Sequence, residues 1–414
     1  MEFDQHSVIK SGIKESAERR TDRLCLLLFL IWPFAGATVS FFRIHRKASL
    51  FIIGLFCLLF GLSFTPVNDQ LDSFRYAQEF SQFLLNPQGN FTLAISDFFS
   101  GDIKDIYSAF CYYVASLMGG DIHALFFIIS IGFAFFQLKS VRIIVDQPSV
   151  RNDSIFLILA FLVIYSNSIF NINGFRYWTA AWIGVYATLK ILVEDKKSYA
   201  ILLLLTPLVH GSFWVYIGFV AVAYFIKIGV KPLLIAFFVS FFFTELILNN
   251  LGIIDESLLP TYMQNLLYSY TESETAQGKI AGANIEDQPL YWKILTNLPR
   301  YYELFMVALL AVKSKYFSDR SVRIIKFLLL YLTITNLFSA IPSFVRFYFP
   351  MVPILAYVWI KERNMLYQQR KWVYAVPIVI LYGAFQLARY VMSVTDFTLF
   401  SPSTVIGIIL KVAI

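Results

Sequence analysis

Apolar runs dominate the chain and are separated by short polar or basic stretches. They lie near 24–42, 49–65, 121–138, 154–170, 178–193, 199–210, 212–226, 231–248, 301–312, 324–341, 347–360, 372–389 and 398–413, thirteen in all. None alternates strictly, so the pattern predicts helices rather than strands. Most runs approach the roughly 20 residues that cross a hydrocarbon core of about 30 Å. The expectation is an all-α, polytopic integral membrane protein of about 12–14 transmembrane helices.

Charge gives these runs a direction. Short basic stretches fall at Arg43 to Lys47, Lys139 to Arg151, Lys196 and Lys197, Lys227 to Lys231, Lys313 to Lys326, and Lys361 to Lys371. Loops rich in Lys and Arg stay on the cytoplasmic side. With thirteen spans all six stretches share that side, the N-terminus is outside and the C-terminus inside. Two segments strain the scheme. The tail before the first run carries Lys10, Lys14, Arg19, Arg20 and Arg23 yet would lie outside. A re-entrant first segment broken at Trp32-Pro33 removes the conflict. Segment 106–118 is about 20 Å long as a helix, too short to cross, and reads as a half-helix dipping in from the outer face.

The expected organisation is a polar basic tail over 1–22 and one transmembrane domain over 23–414. Its large extracytoplasmic segments are 66–120, including the half-helix at 106–118, and 249–300. The short runs at 199–210, 212–226 and 301–312 point to an outward-facing cavity.

Composition sharpens the class. The chain is 58% hydrophobic and 15% charged, too few charges to cover a soluble protein of 414 residues. The net charge of +7 is accounted for by the basic loops, so no nucleic-acid role follows. The three Cys sit in apolar surroundings without metal or redox spacing. No phosphate-binding Gly loop, dinucleotide fingerprint, zinc motif or nucleophile elbow occurs. No metal and no cofactor is expected.

The candidate chemistry lies at the outer ends of runs. Asn173 and Arg176 open the helix at 178–193. A cation there opposes the helix dipole, so an anion should compensate it. Arg176 is either an interface anchor or a phosphate-binding group. His210 interrupts two apolar runs, either as a polar plug in a turn or as a base or phosphate donor. Arg346 and Tyr348 stand at another outer junction, where Arg346 is an aromatic-flanked anchor or a second phosphate clamp. Asp69, Asp72 and Arg75 follow the second run, with a carboxylate there as a rival base. Arg389 flanks the last external turn. Several Arg and one His around an external cavity suit a lipid-linked pyrophosphate.

These positions carry a family resemblance. Asn173-Gly174-Phe175-Arg176, His210-Gly211-Ser212 and Arg346-Phe347-Tyr348, in that order, resemble the EpsG-type, Wzy-like polysaccharide polymerases of bacterial inner membranes. The family's first element, with Arg-Gly after the second span, is missing. Gly61 to Pro66 stands there, and only Asp69 or Asp72 and Arg75-Tyr76 remain recognisable.

The resemblance implies a GT-C-like, metal-independent glycosyltransferase. It would join undecaprenyl-pyrophosphate-linked oligosaccharide repeat units into O-antigen or exopolysaccharide at the extracytoplasmic face. Donor and acceptor are both lipid-linked, and a chain-length regulator protein is a further partner. Arg176 and Arg346 would hold the pyrophosphate, with Arg75, Arg389, Asn173 and Tyr348 as further substrate contacts. His210, Asp69 or Asp72 would act in catalysis. Two alternatives stay open: a flippase or transporter of lipid-linked oligosaccharide, and an O-antigen-ligase-like transferase. Absence of an internal repeat weighs against transport.

Overall fold

A computed structural model describes residues 5–66, 71–146, 154–225, 228–250, 301, 304–339, 344–362 and 399–413. All regular structure among them is helical, as the run pattern predicts. Asp69, Arg389, residues 251–300 and the run at 372–389 lie outside the described residues.

The helices are α1 (Gln5–Ile31), α2 (Pro33–Phe41), α3 (Lys47–Ser63), α4 (Asp72–Phe83), α5 (Pro87–Ser100), α6 (Tyr107–Leu117), α7 (Ile122–Val145), α8 (Ser154–Ser166) and α9 (Phe175–Leu192). They continue with α10 (Ala200–Val209), α11 (Phe213–Phe225), α12 (Val230–Asn250), α13 (304–313), α14 (Asp319–Leu337), α15 (Met351–Lys361) and α16 (Val405–Ala413). Among the described residues, two stretches are long and apolar enough by length and composition to cross a membrane. They are Ile122–Val145, and Phe156–Leu192, which a 3₁₀ turn at Ile169–Gly174 interrupts.

The N-terminal region departs from a single straight span over 24–42. Pro33 cannot donate a backbone hydrogen bond, and the chain breaks at Trp32, which is extended. Helices α1 and α2 then fold back on each other as a hairpin. Arg43 pairs with Asp22 at 2.9 Å, and Arg46 with Glu18 at 2.5 Å and Asp22 at 3.0 Å. The tail end of α1 and the basic stretch after α2 therefore share one end of the bundle. This corrects the expectation that they lie on opposite sides, and it takes the re-entrant form.

Helix α9 is the axis of the fold. Nearly every residue on it is buried, including Trp182, so it is enclosed on all sides, with its charged residues, Arg176 and Lys190, near its two ends. Helices α7, α10, α11 and α15 pack against it, and α3 packs on the far side of α7. The α3–α7 approach is close: a side chain at Gly61 would collide with Ser130 and the Phe126 carbonyl.

The segment expected as an external loop before the half-helix holds two further helices, α4 and α5. Helix α4 buries Ser73, Tyr76, Phe80 and Phe83, one stripe of a helix. The segment expected as a half-helix forms the helix α6, with 11 residues.

Candidate catalytic site

The site forms where α9 begins. Helix α8 ends at Ser166, and the 3₁₀ turn carries the chain to Gly174. A buried polar chain fixes this junction. Gln137 Nε2 donates to the carbonyls of Ile164 and Asn167 at 3.2 Å, and Trp182 Nε1 donates to the Asn167 carbonyl at 2.9 Å. The carbonyls that the end of α8 frees are thus satisfied from α7 and α9. Arg176 then projects from the first turn of α9.

The anion demanded by a cation at a helix N-terminus is Asp105. Arg176 Nη1 donates to both carboxylate oxygens, at 3.0 and 3.3 Å. The Asp105 side chain is 0% exposed and that of Arg176 is 19% exposed. Burial pushes the Asp105 carboxyl up from the usual carboxylate range, while Arg176, Lys104 and the Gly211 backbone oppose the rise. Tyr76 of α4 lies across the guanidinium, its ring centroid 5.5 Å away, and stacks edge-on with Phe175 at 4.8 Å. The Nε of Arg176 is buried without a hydrogen-bond partner among the described residues.

Asp105 is placed by a second break in the helices. Pro207 has no N–H for the Leu203 carbonyl, and the Thr206 hydroxyl donates to that oxygen instead at 2.6 Å. Helix α10 ends at Val209, and His210 is extended. The segment 104–106 docks on this break, where the Ile106 N–H donates to the Leu208 carbonyl at 3.0 Å. Gly211 permits the approach, because a Cβ there would stand 2.9 Å from the Lys104 carbonyl oxygen. Gly211→Ala should therefore displace Lys104 and Asp105 and cost about 1–3 kcal/mol of stability. Thermal unfolding of the purified variant checks this; an unchanged midpoint would contradict the docking.

His210 completes the group. Its Nδ1 lies 2.8 Å from Ser212 Oγ and 3.4 Å from Ser212 N. A backbone N–H can only donate, so Nδ1 accepts, and the proton of the neutral ring sits on Nε2. Nε2 has no hydrogen-bond partner among the described residues. The charges of Arg176, Lys104 and Arg346 all act on this imidazole. Arg346 is exposed in the 3₁₀ turn Phe344–Tyr348, whose Phe347 ring packs on Tyr177 at 5.7 Å. One end of the bundle thus gathers three cations, a neutral imidazole with a free N–H, and one buried carboxylate.

A family model described as the EpsG family matches residues 48–401. The chain belongs to the EpsG family. No curated protein and no solved structure matches the chain. Membership in EpsG carries a polymerase or transferase role in polysaccharide biosynthesis at a bacterial membrane, acting on lipid-linked glycan.

In this EpsG chain the expected residues divide by position. Arg176, His210 and Arg346 come together. Asn173 sits in the turn just before α9, with a buried Oδ1 that has no hydrogen-bond partner among the described residues. Arg75 lies one residue from Tyr76, paired with Asp72 at 3.2 Å and Glu79 at 3.4 Å on the exposed side of α4. The Tyr348 hydroxyl is buried against Asn336, whose Nδ2 donates to Ser240 at 3.2 Å, tying the turn to α14 and α12. Among the described residues, no three His, Cys, Asp or Glu gather as a metal site.

Asp105 and Lys104 are the site residues that sequence reasoning missed, and Tyr76 reads there only as a remnant of the family's first element. The uncompensated cation at Arg176 signalled that an anion existed but not which one.

Proposed function

We infer that the chain is a polymerase for lipid-pyrophosphate-linked oligosaccharide repeat units, acting at the extracytoplasmic end of a multi-pass bundle. The observation that carries this reading is the convergence of Arg176, Lys104, Arg346 and His210 on the docked Asp105 segment.

Sidedness follows from charge. Arg176 and Lys190 lie 14 residues apart on α9, about 21 Å along its axis. Lys190 shares its end with Lys139, Arg142, Arg320 and Lys361, drawn from several basic stretches. The positive-inside rule assigns that end to the cytoplasm and the Arg176 end to the outer face. The salt-bridged α1–α2 hairpin then leaves the N-terminal tail cytoplasmic.

The division of labour follows from charge balance. Asp105 neutralises Arg176, so the pair is an oriented donor rather than a free charge. Lys104 and Arg346 supply the net positive charge that holds a pyrophosphate. His210 offers its Nε2 proton to an oxygen that gains charge as the donor's C1–O bond to pyrophosphate breaks. The acceptor hydroxyl oxygen forms the new bond to C1, and lipid pyrophosphate leaves. The hydroxyl proton passes to a carboxylate, for which Asp72 stands one helical turn before Tyr76; Asp69 is the rival. The growing chain leaves its carrier, and its reducing-end sugar joins the incoming unit.

The test uses purified protein with lipid-linked repeat units, products being separated by size. A ladder of multiple repeats is expected. Movement of units across a vesicle membrane without lengthening would favour the flippase reading. A single transfer to a foreign acceptor would favour the ligase reading.

A further inference from the structure

The end of the bundle opposite Arg176 holds a cavity of about 520 Å³. That volume falls within the roughly 300–1,000 Å³ of small-ligand sites. Five cations line it: Lys139 and Arg142 from α7, Lys190 from α9, Arg320 from α14 and Lys361 from α15. Only two carboxylates, Asp146 and Glu194, face them. Glu194 is committed, bound by Lys190 at 2.7 Å and Lys196 at 2.7 Å. Arg142 and Arg320 have no ion pair among the described residues. Lys361 donates to the Tyr357 hydroxyl at 3.0 Å, and its charge and that of Arg320 act on each other.

Topology alone does not require this arrangement. Basic residues satisfy the positive-inside rule while pointing anywhere into water. Here cations from four helices converge on one space, where like charges repel. The Lys190 side chain is only 13% exposed and that of Glu194 27%, so part of the cluster is shielded from screening by salt. Two unpaired guanidinium forks, with two lysines beside them, match a group carrying several phosphate oxygens.

We propose that this cavity is a second anion site, binding a ligand with two or more phosphate groups at the basic end of the bundle. Two sources share that chemistry. One is a diphosphate-bearing lipid headgroup entering from the bilayer, since basic pockets between helices take such headgroups. The other is a soluble diphosphate.

The experiment measures binding of inorganic pyrophosphate to full-length protein in detergent, and of the protein to cardiolipin in nanodiscs otherwise made of phosphatidylcholine. At least one probe binds wild type, and Arg142→Ala/Arg320→Ala weakens that binding at least ~10-fold, since it removes two guanidinium forks that donate charge-assisted hydrogen bonds to phosphate oxygens. Arg142→Lys/Arg320→Lys retains part of it, which guards against a variant that merely misfolds. Pyrophosphate binding identifies a soluble ligand; binding of cardiolipin alone identifies a lipid. Lys104→Ala/Arg346→Ala separates this cavity from the Arg176 end: a signal lost in that variant and kept in Arg142→Ala/Arg320→Ala belongs to the other site and overturns the proposal. So does equal binding by wild type and both variants, or no binding of either probe.

Discussion

Asp105→Ala should lower the stability of the purified protein by about 3–5 kcal/mol, because it leaves the Arg176 guanidinium buried without its counter-charge. The helix N-terminus adds to the cost, since its dipole repels the stranded cation. Arg176→Ala leaves the reverse problem, a carboxylate with no exposed side-chain surface. The double variant Asp105→Ala/Arg176→Ala removes both charges and should lose less than the sum of the single losses. Thermal unfolding of all three in detergent gives the coupling. Additive losses would mean that the two residues act apart. Chain growth should be absent in all three, including the stabler double variant, because the oriented donor is gone in each. A growing ladder from the double variant would leave the pair a structural role alone.

His210→Ala should reduce turnover by about 10²–10³, the usual cost of deleting one donor to a developing charge. The reasoning rests on the ring's proton. With Nδ1 accepting from Ser212, the free nitrogen is an N–H, which suits a leaving oxygen rather than a hydroxyl to be deprotonated. His210→Gln places an amide N–H close to the Nε2 position and should retain a measurable part of the rate. A general base would be lost equally in both variants. Equal loss in His210→Gln and His210→Ala would therefore reverse the assignment.

Much of the fold was legible because lipid and core impose the same simple demand, long apolar runs. The all-helical class, a short helix within 106–118 and the break at Trp32-Pro33 all follow from run length and proline. The α1–α2 hairpin needed more, since its direction is set by Glu18 and Asp22 finding Arg43 and Arg46. Those partners are 21 to 28 residues apart, beyond any local pattern. Helix α4 did leave a signal. Ser73, Tyr76, Phe80 and Phe83 form a stripe, but the polar residues between them read as loop.

The site was legible in part for a similar reason. Arg176, His210 and Arg346 each interrupt an apolar context and so announce themselves. Asp105 sits in a short polar stretch among other carboxylates and looks solvated. Only docking on the His210 break buries it, against an Arg176 that lies 71 residues further along the chain. Lys104 shares that concealment. Tyr76 was visible as part of Arg75-Tyr76, but nothing in the sequence placed its ring across the Arg176 guanidinium.

Chain growth by Lys104→Ala/Arg346→Ala bears on the whole assignment. Both side chains leave the buried pair intact, so the variant should unfold at the wild-type temperature. Reconstituted with lipid-linked repeat units, wild type should release one lipid pyrophosphate for each bond formed. The variant should show both quantities reduced together, by about 10²-fold or more. Undiminished lengthening by the folded variant would contradict a pyrophosphate site at the N-terminal end of α9.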